Sequence, residues 1–216
     1  MFTKYGYNTI GIVAIISFLL IVIGILVNNG FIRYPLLIIA IFLIVFTLNF
    51  FRDPERIIPS KENIVVSPAD GRVLFVKEVI DEKFIKGKVK QISIFMSPLN
   101  VHVNRIPISG KVDYLKHYEG EFIAAFEDKA SEKNERTEIG ITSDKGKVLF
   151  TQIAGFVARR IVCDLNIGDT VKIGERFGMI KFGSRVDILV PVEWQEKVKK
   201  DDNVFAGETI LFEILQ

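Results

Sequence analysis

A serine near the C-terminus has the setting of a possible nucleophile. Ser184 follows Gly183 within the segment 181–186, between two apolar runs of β-strand character. A serine hydroxyl becomes nucleophilic when a neighbouring base takes its proton. Gly-Ser pairs are also common in turns and bulges. The pair by itself therefore indicates either an ordinary turn or a reactive serine.

Asp70 is a candidate base, provided that the fold brings a titratable partner beside it. It lies in the sequence 68–71, Pro-Ala-Asp-Gly. Asp and Gly in this arrangement are also typical of a hairpin turn, in which Asp bonds to the nearby backbone and Gly supplies a positive φ. The sequence leaves both interpretations open.

The segment around His102 has polar residues at alternate positions. In a strand, Val101 and Val103 share one face, and His102 and Asn104 share the other. With Arg105 next to them, these polar side chains predict either an exposed strand face or a cleft that receives an anionic group.

Charge and residue composition exclude several classes of function. Residues 52–216 carry 26 basic and 26 acidic side chains, so they present no basic stripe for nucleic acid. The single cysteine, Cys163, excludes an internal disulfide and a cysteine-based zinc cluster, and its apolar neighbours are typical of a buried small residue. The only histidines are His102 and His117, and His117 lies in a sequence typical of a protein surface. We therefore expect no metal site.

The first 51 residues predict a membrane-associated helical hairpin. Apolar runs at 10–27 and 35–51 contain no charge, and an Asn-Asn-Gly turn at 28–30 lies between them. Each run is about long enough to cross a bilayer, and a hairpin that dips into one leaflet is the alternative. A second apolar run and the lack of a cleavage site argue against a signal peptide.

The basic residues beside the two runs predict the orientation. Lys4 precedes the first run, Arg52, Arg56 and Lys61 follow the second, and Arg33 alone lies near the turn. Basic residues concentrate on the cytoplasmic side. We therefore expect a cell-membrane protein whose large domain lies on the cytoplasmic face.

Residues 52–216 predict one mainly β domain, a barrel or sandwich with few helices. Short β-type runs alternate with Gly, Pro and Asp, and one helix is expected at 120–126. The ten predicted strands are 63–66, 71–76, 91–96, 110–115, 138–142, 147–155, 169–173, 179–182, 186–190 and 209–214.

A loose repeat suggests a biotinyl- or lipoyl-type barrel. The segments 168–178 and 198–209 both place Gly-Asp or Gly-Glu turns between β-branched residues. A non-enzymatic carrier or adaptor on a membrane anchor is therefore an alternative function. A carrier needs an exposed lysine at a hairpin tip, whereas Lys181 lacks the flanking methionines and the nearby turn offers Gly183 and Ser184.

Six motifs, taken in order, resemble the short form of the phosphatidylserine decarboxylase family. The resemblance covers about residues 50–191 and extends to the apolar hairpin, and the shared order makes it specific. The motifs are Phe51-Arg52-Asp53-Pro54, Pro68-Ala69-Asp70-Gly71, Met96-Ser97-Pro98-Leu99-Asn100-Val101-His102-Val103-Asn104-Arg105, Lys129-Ala130-Ser131-Glu132-Lys133-Asn134-Glu135-Arg136, Gln152-Ile153-Ala154-Gly155 with Ala158-Arg159-Arg160-Ile161, and Phe182-Gly183-Ser184.

The resemblance implies a zymogen that cleaves itself between residues 183 and 184. The Ser184 hydroxyl attacks the Gly183 carbonyl to give an ester, and elimination and hydrolysis then leave a pyruvoyl group at 184. Glycine suits this step because it has no side chain to obstruct the attack. The products are chains 1–183 and 184–216, which form a heterodimer that can assemble further.

The resemblance also implies a lyase of phospholipid biosynthesis that converts phosphatidylserine to phosphatidylethanolamine and CO2. The pyruvoyl group forms a Schiff base with the substrate amine and accepts the electrons left by CO2, so neither pyridoxal phosphate nor metal is needed. Another phosphoserine lipid, such as archaetidylserine, is an alternative substrate because the reaction occurs at the headgroup.

The family motifs assign roles to several residues. Asp70 matches the aspartate of an Asp-His-Ser relay for self-cleavage, and His102 matches the first histidine of a His-x-x-His motif. Arg105 replaces the second histidine and cannot act as a base. Either His102 takes that role, or His117 folds into the site, or the relay is built differently; we favour His102. Arg105, with Asn104 and His117, is assigned to substrate binding because guanidinium pairs with carboxylate or phosphate.

Overall fold

The computed structural model describes residues 1–121, 123, 133–155, 160–181 and 184–214. The chain divides into two compact units, Met1–Glu55 and Arg56–Gln216. The first is helical and the second is built mainly from strands, as the sequence predicts.

The N-terminal unit contains a pair of apolar helices. A short 3-10 turn, Lys4–Gly6, leads into α1 (Tyr7–Leu26), and α2 spans Gly30–Phe50. The mean hydropathy of the two candidate spans is 3.0 and 2.4. Helices of 20 and 21 residues are about 30 Å long, which matches the hydrocarbon core of a bilayer. By length and composition, both are compatible with a membrane, which agrees with the predicted hairpin.

Local sequence explains where these helices meet. Asn29 caps α2, because its side-chain oxygen accepts a hydrogen bond of 2.9 Å from the N–H of Phe31. Gly24 faces Leu37 across the pair, and a Cβ at Gly24 would lie 3.1 Å from a Leu37 methyl carbon. The two helices therefore approach closely at a position without a side chain.

The second unit contains fourteen strands in its described part. Their bounds are β1 Ile64–Val66, β2 Gly71–Asp81, β3 Gly87–Met96, β4 Val103–Arg105, β5 Gly110–Tyr118, β6 Arg136–Ser143, β7 Gly146–Ala154, β8 Ile161–Cys163, β9 Thr170–Val171, β10 Arg176–Ile180, β11 Ser184–Pro191, β12 Gln195–Glu196, β13 Asn203–Val204 and β14 Ile210–Glu213.

One large antiparallel sheet organises this unit. Its eight strands follow the order β13-β2-β3-β11-β7-β6-β5-β9, and the sheet curls into a half-barrel. Two three-stranded sheets, β1-β14-β12 and β4-β10-β8, complete the fold. Strand β11 lies inside the large sheet, with β3 on one side and β7 on the other.

Alternation along β11 separates an apolar face from a polar one. Val186 and Ile188 are fully buried in the main hydrophobic core, on the same face as Ser184. Arg185 and Asp187 project from the opposite face and are also buried. Because successive side chains point to opposite faces, β11 joins two different environments.

The polar face is held by a buried ion pair. Arg185 donates from Nε and Nη2 to the two carboxylate oxygens of Asp187, at 2.6 and 2.9 Å. Asp187 also accepts hydrogen bonds from Gln91 at 2.8 Å and Ser93 at 2.5 Å. These hydrogen bonds take the place of water around the buried carboxylate.

All ten predicted strands are present, and the mainly β prediction is confirmed. Four further strands, β4, β8, β12 and β13, were missed because each has only two or three residues, too few for a visible alternation. Most of the helix predicted at 120–126 lies outside the described residues, since 122 and 124–126 are among those not described.

We expect Asp187→Asn to lower the melting temperature of the full chain by roughly 6 to 20 °C, because Arg185 would remain buried without its counterion. Thermal unfolding in detergent, followed by circular dichroism, measures this shift. Asp144→Asn is the control, since the Asp144 side chain is 78% exposed in a turn. Equal melting temperatures for the two variants would contradict the role given to the ion pair.

Candidate active site

Ser184 is fully buried at the first position of β11. It lies opposite Met96 of β3 and Ala154 of β7. Its hydroxyl donates a hydrogen bond of 3.2 Å to the Met96 sulfur. A thioether is a weak acceptor, so this contact orients the hydroxyl without taking its proton. Gly183, the other half of the predicted cleavage site, lies outside the described residues.

A chain of buried amide groups continues from Met96. The Asn104 amide nitrogen approaches the Met96 sulfur at 3.9 Å and donates to the Pro68 carbonyl at 3.3 Å. The Asn104 side-chain oxygen accepts a hydrogen bond of 2.9 Å from Gln152 of β7. Ser184 is therefore joined to two buried amides on the inner side of the sheet.

His102 is completely buried, just before β4. Its Nδ1 lies 3.0 Å from the Asn100 carbonyl oxygen. Since a carbonyl can only accept, Nδ1 carries the hydrogen there, and in the neutral ring Nε2 is the basic nitrogen.

The prediction of an exposed polar face for this segment is wrong. Asn104 and Arg105 are buried together with His102, and so are Val101 and Val103. Distant segments pack against these side chains: Asn104 binds Pro68 and Gln152, and Arg105 binds Gly174. Of the two interpretations, only a buried setting agrees with the structure.

Asp70 is buried beside a guanidinium group. Arg56 donates to one Asp70 carboxylate oxygen at 2.7 Å, and the N–H of Ala206 donates to the other at 2.8 Å. Arg56 also binds Glu208 at 2.8 Å. The N–H of Ile57, and after it Arg56, hold the pKa of Glu208 below its usual range. Asp70 thus belongs to a compact charged cluster at the start of β2.

A close backbone approach positions this cluster near the serine. A Cβ at Gly71 would lie 2.2 Å from the Phe95 carbonyl oxygen, so only glycine allows β2 to start so near β3. Phe95 precedes Met96, which pairs with Ser184. Asp70 and Ser184 are therefore at the same end of the sheet, two strands apart.

Arg105 and His117 have other surroundings. The Arg105 guanidinium donates to the Gly174 carbonyl oxygen at 2.9 Å, and its backbone N–H donates to Pro68. The His117 side chain is half exposed on β5 and contacts the Thr137 hydroxyl at 3.0 Å. Because β5 is three strands from β11, His117 lies roughly 14 Å across the sheet from that strand. The fold does not bring His117 to Ser184.

Lys181 is a cation close in sequence to Ser184. Its backbone N–H donates to the Arg160 carbonyl oxygen at 3.2 Å. Burial, and secondly the positive charge of Arg160, lowers the pKa of Lys181. Two basic side chains near one another favour an anionic ligand at this place.

Three further buried residues belong to the ordered motifs, although their sequence positions suggested no role. Met96 accepts from Ser184, and Gln152 binds Asn104. Asn134, fully buried, donates to the carbonyl oxygen of Ala154 at 2.7 Å and so braces the residue opposite Ser184. Their place in ordered motifs was the available signal, since their types alone suggest no chemistry.

The described residues give little support to a reactive thiol or to a metal site. No group of three or more His, Cys, Asp or Glu side chains there is arranged to hold a metal ion. Cys163 is only half buried and packs against the main core. Burial is the main cause that raises the pKa of its thiol, which keeps it protonated and unreactive near neutral pH.

Comparisons with known proteins give one consistent result. The family model described as phosphatidylserine decarboxylase matches residues 43–212. The chain is 48% identical to the phosphatidylserine decarboxylase proenzyme of Chlorobium phaeovibrioides over 98% of its own length and 95% of that protein. It is 46% identical to the proenzyme of Pelodictyon phaeoclathratiforme and 47% identical to that of Chlorobium limicola, in each case over 98% of this chain and 99% of the relative.

We expect Lys181 to be acetylated at a lower pH than free lysine, whose pKa is about 10.4, because its amine is neutral in a larger fraction. Arg160→Gln should move this profile to higher pH without restoring the free-lysine value, since burial remains. Competitive acetylation read by mass spectrometry measures the profile, and Arg160→Lys, which keeps the charge, should leave it in place. A profile unchanged in Arg160→Gln would refute the electrostatic contribution.

Proposed function

The chain belongs to the phosphatidylserine decarboxylase family and is a lyase of phospholipid biosynthesis, and we propose that it is activated by cutting itself between residues 183 and 184. The mature enzyme then converts phosphatidylserine to phosphatidylethanolamine and CO2. The observation that carries this proposal is the buried Ser184 hydroxyl, oriented by Met96 at the first position of an internal strand.

Self-cleavage requires that Ser184 loses its proton and attacks the carbonyl carbon of residue 183. A new C–O ester bond forms, the peptide C–N bond breaks, and the nitrogen takes up a proton. We assign the base to His102, whose Nδ1 contact with Asn100 leaves Nε2 as the basic nitrogen of the neutral ring. Asp70 is the acidic member of the relay, and Arg56 holds its carboxylate in place.

The surroundings of Ser184 fit a pyruvoyl group, which is built from the atoms of that residue. Its neighbours across the sheet, Met96 and Ala154, are uncharged and present no group that would compete for a carbonyl. Once formed, the group supplies an electron-accepting carbonyl, which elsewhere is provided by pyridoxal phosphate.

The two products of cleavage would remain joined as a heterodimer. All eight residues of β11 pair with β3, and six of them also pair with β7. Both neighbours belong to chain 1–183, whereas β11 belongs to chain 184–216. The ladders on both sides therefore retain the new chain end in the sheet.

Recognition of the anionic headgroup is assigned to Lys181 and Arg160. Their positive charges suit the carboxylate and phosphate of the lipid. The sequence had instead predicted that Arg105 binds the headgroup. Its hydrogen bond to Gly174 and its burial favour instead a part in holding the loop at 174, and substrate binding by Arg105 stays a prediction.

The hairpin anchors the enzyme to its lipid substrate. We propose that α1 and α2 cross the cell membrane and that both ends of the hairpin lie in the cytoplasm. Support comes from their length and hydropathy and from the bias of Lys4, Arg52 and Arg56 against Arg33. The catalytic unit then works on the cytoplasmic leaflet.

Intact mass under denaturing conditions tests the cleavage. We expect two chains from the wild type, the smaller of 33 residues and about 17 Da lighter than its serine-initiated sequence, because the change from an N-terminal serine to a pyruvoyl group is a net loss of NH3. Ser184→Ala should give one chain of 24.5 kDa. Ser143→Ala, at the end of β6 opposite Gly146 of β7, serves as the control and should cleave normally. An uncut wild type would refute self-processing.

Cysteine labelling tests the membrane topology. In a Cys163→Ser background, Asn29→Cys should react with a membrane-impermeant maleimide in intact spheroplasts, because the turn lies outside. Lys61→Cys should react only after lysis. If both positions react only after lysis, the hairpin dips into the inner leaflet and does not cross.

A further inference from the structure

Gln152 is a fully buried polar residue that the proposed chemistry does not use. It lies on β7, opposite Val186, and is completely inaccessible to solvent. Ala154, two residues later, is the direct partner of Ser184. Gln152 and Ser184 are thus diagonal neighbours on one face of the sheet, with Cβ atoms roughly 7 Å apart, within reach of a long side chain.

The orientation of the Gln152 amide is determined by its neighbours. Its nitrogen donates to the Asn104 side-chain oxygen at 2.9 Å and to the Val162 carbonyl oxygen at 3.3 Å. Both partners accept. Turning the amide over would place the Gln152 oxygen against two other oxygens, so the nitrogen must occupy this position.

The Gln152 oxygen consequently points away from Asn104 and Val162, and it lacks a hydrogen-bond donor. Among the described residues, none donates a hydrogen bond to it, although the atom is buried. A buried acceptor without a partner is costly, and native proteins rarely retain one unless a ligand or water completes it. The orphan oxygen, on a residue diagonal to Ser184 in the sheet, is thus a position that a hydrogen-bond donor of a ligand can complete.

We propose that the Gln152 side-chain oxygen accepts a hydrogen bond from the amino group of the lipid headgroup. This inference rests on the proposed function and names Gln152 as a residue that selects the substrate. Of the charged groups of phosphatidylserine, the carboxylate and the phosphate only accept hydrogen bonds, whereas the ammonium group has three hydrogens to donate. An acceptor that cannot donate at this place therefore discriminates for a headgroup that carries an N–H.

Binding to a chemically blocked enzyme tests the proposal without using activity. Borohydride reduces the ketone at residue 184 of the cleaved protein, and calorimetry then measures the affinity for dihexanoyl phosphatidylserine and for dihexanoyl phosphatidylglycerol, which has no amine. We expect Gln152→Met to weaken phosphatidylserine binding about tenfold or more and to leave phosphatidylglycerol binding unchanged.

A second substitution separates binding from structure. Gln152→Glu loses the donor to Asn104 and Val162, as Gln152→Met does, but keeps an oxygen acceptor. It should retain the preference for phosphatidylserine. If both variants lose the preference equally, the role of Gln152 is structural and the proposal is wrong. Gln91→Met removes a similarly buried glutamine from the opposite face of the sheet and should change neither affinity.

A measurement on the wild type alone guards against misfolded variants. Dihexanoyl phosphatidyl-N,N-dimethylethanolamine keeps one N–H, whereas the choline lipid of nearly equal size has none. We expect the reduced wild type to bind the dimethyl lipid about tenfold more tightly. Equal binding would overturn the inference. An uncut wild type would instead refute the proposed function, so the two failures are distinct.

Discussion

The insertion of β11 between β3 and β7 is the constraint on which the rest of the catalytic unit depends. Ser184 is the first residue of this strand, and backbone ladders on both sides determine its position relative to Met96 and Ala154. A serine on a surface loop would have a mobile, hydrated hydroxyl. At the start of an internal strand, the hydroxyl is instead directed at the Met96 sulfur, and a fixed direction suits a group that must react with its own backbone.

The same strand explains why a break in the chain before Ser184 need not disturb the fold. The side chains on its inner face pack in the hydrophobic core, and Arg185 and Asp187 form a buried ion pair on the other face. Each face therefore has its own anchor. Removing the peptide bond at 183–184 breaks none of these contacts, because all of them lie at or after residue 184.

Buried polar groups around the serine are held mostly by fixed hydrogen-bond partners. Asn104 and Arg105 bind the carbonyl oxygens of Pro68 and Gly174, and Asp70 binds Arg56 and a backbone N–H. Such groups do not need to reorganise when charge develops, which is what electrostatic preorganisation requires. The Gln152 oxygen, by contrast, has no donor among the described residues, and for that reason it is where we place the substrate amine.

The sequence by itself determined the features that depend on local pattern. Long uncharged apolar runs predict α1 and α2, because no backbone group can remain unpaired in lipid. Short β-type runs separated by Gly, Pro and Asp predict ten strands, and the order of six short motifs indicates the family. Only the tertiary structure decided which polar residues are buried. His102 and Asn104 are inaccessible, and Asn104 is bonded to Pro68 and to Gln152 from distant parts of the chain. A strand's own alternation carries no information about such distant partners.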